Sequence, residues 1–159
     1  RFEPKAIISP GSPGLYDEEF YQALGPLADG MIFNLPWANP KSPVTQALEA
    51  SFKVANPNNR FAVDSFNAGF TLEALMIAAD AFKRAGTTDG PTLMEAVRTT
   101  KIDQHVMIGG PISFDAKGQN TAIGTAVVQN QKQTPVVVYP ADVAAGAPAL
   151  PLASWQGRK

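Results

Sequence analysis

Apolar residues come in short bursts near the start of the chain and in helical registers through its middle. Residues 5–9, Lys-Ala-Ile-Ile-Ser, form a brief apolar run that predicts a buried strand. Residues 10–14, Pro-Gly-Ser-Pro-Gly, end it, because proline fixes φ and glycine reaches positive φ. Asp17, Glu18 and Glu19 open a helix, where carboxylates offset the dipole; Phe20 and Leu24 share one face and Gly25 stops it. Residues 30–35, Gly-Met-Ile-Phe-Asn-Leu, read as a second strand, which Pro36 and Trp37 leave for a loop rich in Asn and Pro.

Ser42-Pro43 is a helix start, with serine as N-cap and proline as first helical residue. Val44, Leu48 and Phe52 give its apolar stripe, and residues 56–59 end it. The strongest periodicity predicts a long helix over residues 67–85. Leu72, Leu75, Met76, Ala79 and Phe82 recur at helical spacing, and Phe70, Ala74, Ile77, Ala78 and Ala81 widen the face. So wide a face predicts burial on most sides, with Phe70, Met76 and Phe82 in the core. Lys83 and Arg84 suit its last turn, and Gly86 ends it. Asp89-Gly90-Pro91 begins another helix with Leu93, Ala96 and Val97 inward. A short strand at residues 112–114 runs into a turn at 115–118. Residues 126–129 and 135–139 pair about the turn at 131–133. Residues 141–151, rich in Ala and Pro, read as an extended arm whose end Trp155 anchors. This order of strands and helices is that of an α/β fold, without internal repeats.

Composition narrows the function. The 159 residues carry a formal net charge of -1, a 45% hydrophobic share and a 17% charged share, which fits a globular domain with a sizeable core. The pI near 5.8 and the lack of any Lys/Arg cluster argue against nucleic acid and against an anionic membrane surface. No apolar run is long enough to enter and cross a bilayer. Cysteine is absent, which removes disulfides, thiolate metal sites and thiol nucleophiles together. The opening residues, Arg1-Phe2-Glu3-Pro4, are not a signal peptide, so the expectation is a removed signal or a piece of a longer protein.

Catalytic chemistry finds little support. His105 is the only histidine and falls in residues 101–105, which read as a loop, so a solvated side chain is expected there rather than a general base. No His or Cys pair has metal spacing. Gly109-Gly110-Pro111 lacks the glycine pattern and the following helix that hold a phosphate. Asp17, Glu18 and Glu19 are explained by the start of a helix. The expectation is a protein that is not an enzyme, with no catalytic residues, metal or cofactor.

Three segments, in order, resemble the Leu/Ile/Val-binding family of periplasmic binding proteins, the type I fold. They are residues 23–32 (Ala-Leu-Gly-Pro-Leu-Ala-Asp-Gly-Met-Ile), residues 59–68 followed by the Ala-rich helix ending Lys-Arg-Ala-Gly, and residues 109–118 (Gly-Gly-Pro-Ile-Ser-Phe-Asp-Ala-Lys-Gly). Residues 152–158 are similar to the family's C-terminus. The resemblance covers the C-terminal portion of a two-lobed α/β protein with parallel sheets flanked by helices. It implies residues 1–35 in the second lobe, 36–115 in the first, 116–140 back in the second, and 141–159 as a tail. It implies the N-terminal remainder of the same protein as a partner, an ABC transporter permease as another, and a periplasmic or extracellular location. A small organic solute, an amino acid or a related and possibly aromatic carboxylate, is then captured between the lobes. A ligand-sensing regulator of the same fold is the alternative, and a fused DNA-binding or membrane segment would mark it.

The resemblance also implies where a ligand sits. The loop after the first strand, with Gly11, Ser12 and Pro13, lies where ligands meet open α/β sheets, although a plain strand-to-helix turn explains it as well. Phe66, expected just before the long helix, takes the place of an aromatic that the family presents to ligand, or else packs in the core. Asn67 beside it serves as a donor or as a helix cap. Trp37 walls the cleft or packs at the hinge. Amino-acid binders of the family carry an acid in the first loop, and residues 10–15 have none. A desolvated ammonium without a counter-charge is costly, so this departure favours a carboxylate with an apolar or aromatic body over leucine. Asp17 and Asp64 are the remaining sources of negative charge, Asp64 the more serious.

Overall fold

The computed structural model describes residues 3–11 and 14–153. Its elements run β1 (Ile7–Ser9), α1 (Glu18–Leu24), a 3-10 turn (Gly25–Ala28), β2 (Met31–Leu35), α2 (Pro43–Ala55) and α3 (Phe61–Ala85). They continue with α4 (Gly90–Arg98), β3 (Lys101–Ile102), β4 (Ile112–Ser113), β5 (Ala126–Asn130) and β6 (Pro135–Tyr139). The fold is α/β. Ser12, Pro13 and Trp155 lie outside the described residues.

Two halves follow from the pairing. β1, β2, β5 and β6 form one four-stranded sheet in that order. β1 runs parallel to β2, while β5 and β6 are antiparallel to their neighbours. Phe33 and Val128 are directly opposed across β2 and β5, and both are fully buried. They join Tyr16, Trp37, Ile108, Ala126 and Val137 in the main core. The β5–β6 turn uses Lys132 and Gln133 at positive φ, a conformation that matches the strand twist of a two-residue hairpin. The arm after β6 folds back on the sheet through Ala145 N–H to Val137 O, and is held further by Gln129, which donates to Ala149 O and accepts from Ala149 N–H. The other half contains α2, α3, α4 and the small β3–β4 hairpin.

The helix ends obey their local chemistry. The Ser42 hydroxyl accepts from Val44 N–H at the start of α2, and Asp89 caps α4 through Thr92 N–H. Gly86 closes α3 in the left-handed conformation that glycine adopts without strain. Long α3 departs from the sequence reading in two ways. It begins at Phe61, not at residue 67, with Arg60 at the N-cap and Asp64 in the first turn. Its buried stripe is Phe61, Ser65, Gly69 and Glu73, spaced four apart, and not the leucine-rich face. Leu75 is 62% exposed and Phe82 47%, so Phe82 is not core, and α3 is not buried on most sides. Residues 101–102 also differ from the expected loop, because they pair with β4.

Backbone segments join the halves as a ladder. Residues 35–41 lead from β2 to α2, and residues 120–125 lead back to β5. Residues 105–110 lie between them. Asn39 N–H donates to Val106 O and Ile108 N–H to Trp37 O, each at 2.8 Å. On the other side Gly124 N–H donates to Ile108 O at 2.9 Å and Gly110 N–H to Ala122 O at 2.8 Å. Gly109 makes this close approach feasible: its φ is +149°, and an added Cβ would stand 2.5 Å from Ala122 O.

Candidate ligand-binding site

The first turns of α1 and α3 face each other across a crevice of about 540 Å³. Asp17 and Glu18 come from the start of α1, with Glu19 and Gln22 beside them; Asn58, Asn59, Arg60 and Asp64 come from the start of α3. The crevice thus draws one wall from each half. Val63 is its apolar lining residue, and it packs with Tyr21 and Ala28 in a small core of its own.

Arg60 is the cation of this wall, and its contacts are spoken for. It forms an ion pair with Glu18 at 2.7 Å, donates to Gln133 O at 2.7 Å, and stacks over the Tyr21 ring at 5.2 Å. Among the described residues the ion pairs do not include Asp17, Glu19 or Asp64. The crevice is therefore net acidic, with amide side chains at its rim and a carboxylate from each half. That arrangement can neutralise an ammonium and bond neutral polar groups.

The sequence-derived site residues separate in space. Trp37 and Phe66 come together: their ring centroids are 6.2 Å apart, and Tyr16 stands 4.9 Å from Trp37 in an edge contact. Trp37 is 4% exposed and Tyr16 3%, and burial raises the Tyr16 hydroxyl above its ordinary range. Phe66 is half-buried, packed on this cluster and 5.1 Å from Phe70. Since α3 begins at Phe61, Phe66 sits inside the helix rather than before it, and Asn67 is not the cap. Asn67 is exposed and turned towards an apolar groove with Leu48, Phe52 and Leu75, away from Phe66. Trp37 also borders a cavity of about 150 Å³ with Thr45, Phe61, Ser65 and Val137. Gly11 lies at the end of β1 at φ +73°, where an added Cβ would stand 3.3 Å from Asn34 O. It does not line the acidic crevice.

His105 corrects its expectation. It is not solvated: Nδ1 lies 2.7 Å from Glu73 Oε1 and Nε2 2.8 Å from Gly110 O. Both ring nitrogens have partners within the protein.

A periplasmic binding protein family model matches residues 5–134. The chain belongs to that family. Proteins of that family bind small molecules. Comparison with curated proteins gave no match. Among the described residues, no helix of this family member is long and apolar enough to cross a membrane.

Proposed function

We propose that this protein is the extracytoplasmic solute-binding component of an ABC transporter, of the Leu/Ile/Val-binding kind, and that it captures a small amino acid. It binds without catalysing a reaction. The sheet half is then part of the second lobe and the helical half part of the first. The observation that carries the ligand class is the meeting of Asp17 and Asp64 at one crevice. The first loop lacks an acid, which by itself favours an aromatic or apolar carboxylate; these two side chains supply the counter-charge from elsewhere. An ammonium can then lose water without the several kcal/mol of uncompensated desolvation that otherwise forbids it.

The N-terminal remainder of the protein and a permease are the proposed partners. Support for the first comes from large apolar side chains that α2, α3 and α4 leave exposed. Leu75 and Phe82 stand out of α3, Val54 is 85% exposed on α2, and Met94 is 54% exposed on α4. β1 is an edge strand in parallel pairing, with Ile8 exposed at 69%, and parallel strands are usually covered on both sides. A second parallel sheet segment with its helices would cover both.

Thermal-shift screening of the full-length protein tests the reading. Leucine or phenylalanine should raise the melting temperature by several degrees at saturating concentration, as any ligand selective for the folded state does. Stabilisation by hydrocinnamate, which is phenylalanine without the ammonium, and none by the amino acids would reverse the ligand class.

A further inference from the structure

Glu73 sits midway along α3, buried, with one carboxylate oxygen doing most of its bonding. Oε1 accepts from Val106 N–H at 3.1 Å and Met107 N–H at 2.7 Å, and lies 2.7 Å from His105 Nδ1. The opposite ring nitrogen, Nε2, is 2.8 Å from Gly110 O, which can only accept. Nε2 therefore donates to Gly110 O, and Nδ1 shares a hydrogen with Glu73 Oε1. The two side chains form a hydrogen-bonded pair and are 9% and 8% exposed.

Its location gives the pair a task. Residues 105–110 form the middle segment of the ladder between the halves. Glu73 holds the helical end of that segment, and helix α2 adds Thr45 Oγ1 to Val106 O at 3.0 Å and Ser42 Oγ to His105 O at 2.7 Å. Gly69, one turn before Glu73, keeps the approach open: an added Cβ would stand 2.6 Å from Met107 Sδ. The other end of the segment, at Ile108, bonds to Trp37 and Gly124, which lead into the sheet half.

We propose that Glu73 and His105 are the positioning pair of a hinge. They clamp residues 105–107 to α3, so that closure bends the ladder on the sheet side of Met107, at Trp37, Ile108 and Gly124. This rests on the two-lobed solute-binding reading and adds its regulation: strain on the clamp sets the balance between open and closed forms, and so the affinity at a crevice the pair never touches.

Amide hydrogen exchange and calorimetry on the full-length protein, wild type against Glu73→Gln and His105→Gln, provide the test, with leucine and phenylalanine as probes. Glu73→Gln keeps an acceptor for the two backbone N–H groups and removes the charge, so the fold should survive. The clamp predicts exchange faster by about tenfold at Val106, Met107 and Ile108 with the β5–β6 amides unchanged. It also predicts a Kd shift of about threefold or more for whichever probe binds, with the crevice intact. A uniform rise across the chain, no rise, or a local rise with unchanged Kd would each overturn the proposal. Failure of both probes to bind the wild type would instead contradict the ligand reading, and the exchange pattern alone would then decide the clamp.

Discussion

Tyr21 and Asn130 are joined by a 2.7 Å hydrogen bond across 109 positions of sequence, the Tyr21 hydroxyl donating to Asn130 Oδ1. Asn130 is fully buried at the end of β5, and its amide also donates to Leu15 O at 2.8 Å. One side chain thus ties α1 and the first loop to the central sheet, directly beneath the acidic crevice.

Tyr21→Phe leaves Asn130 Oδ1 without this donor in a dry site, and should lower stability by about 1–3 kcal/mol in chemical denaturation at neutral pH. Burial also pushes the Tyr21 hydroxyl far above the ordinary phenol range, against the opposing pull of Arg60. The folded state therefore keeps a proton that the unfolded chain loses near pH 10, so stability is full below that pH and falls above it. The variant should show a shallower alkaline loss than wild type. Tyr16 is raised in the same direction, so some loss should remain.

Gly109→Ala should be among the most damaging single-methyl changes in the chain. The new Cβ meets Ala122 O at 2.5 Å and Gly124 N at 2.7 Å, both backbone atoms that cannot swing aside. A loss of about 1–3 kcal/mol is expected, read as a lowered melting temperature. Gly118→Ala is the control: its φ is also positive, but nothing lies within 4 Å of the new atom. Equal losses at both positions would place the cost in backbone conformation alone.

Phe66→Ala should cost about 3–4 kcal/mol, because the ring packs in the aromatic cluster with Trp37, Tyr16 and Phe70. Phe66→Leu should recover much of it. Weakened solute affinity at unchanged stability would return Phe66 to the binding surface.

The open apolar face makes a separate prediction. Leu75→Lys and Phe82→Lys should be tolerated or improve solubility in the 159-residue chain, where these side chains are exposed. In the full-length protein each should cost about 2 kcal/mol, as expected for a large apolar side chain kept from burial. Equal tolerance in both would leave the face solvent-exposed in the whole protein.

Punctuation made much of the fold legible. Ser42-Pro43, Asp89-Gly90-Pro91 and Gly86 mark helix ends by local chemistry, and the structure places the ends there. The runs at residues 126–129 and 135–139, read as a pair about the turn at 131–133, are β5 and β6. The buried stripe of α3 was hidden because Ser65, Gly69 and Glu73 interrupt it with small and polar residues. Each serves a close approach or a bond to residues distant in sequence, which periodicity does not encode. The leucine face carried the stronger pattern, yet Leu75 and Phe82 on it are exposed. The crevice was only half visible. Asp17 and Asp64 stood out as charges, but their meeting depends on how α1 and α3 pack, and Arg60 gave no signal before its contacts with Glu18 and Tyr21 were seen.

Calorimetric titration of phenylalanine and hydrocinnamate against the full-length protein, wild type and Asp64→Asn, tests the central claim most directly. The two solutes differ in the ammonium, so their affinity ratio reads the counter-charge at the crevice. The account predicts phenylalanine at least about tenfold tighter in wild type, a difference of about 1.4 kcal/mol, and a ratio near unity in the variant. Hydrocinnamate binding as tightly as phenylalanine in wild type, or a ratio untouched by Asp64→Asn, would contradict it.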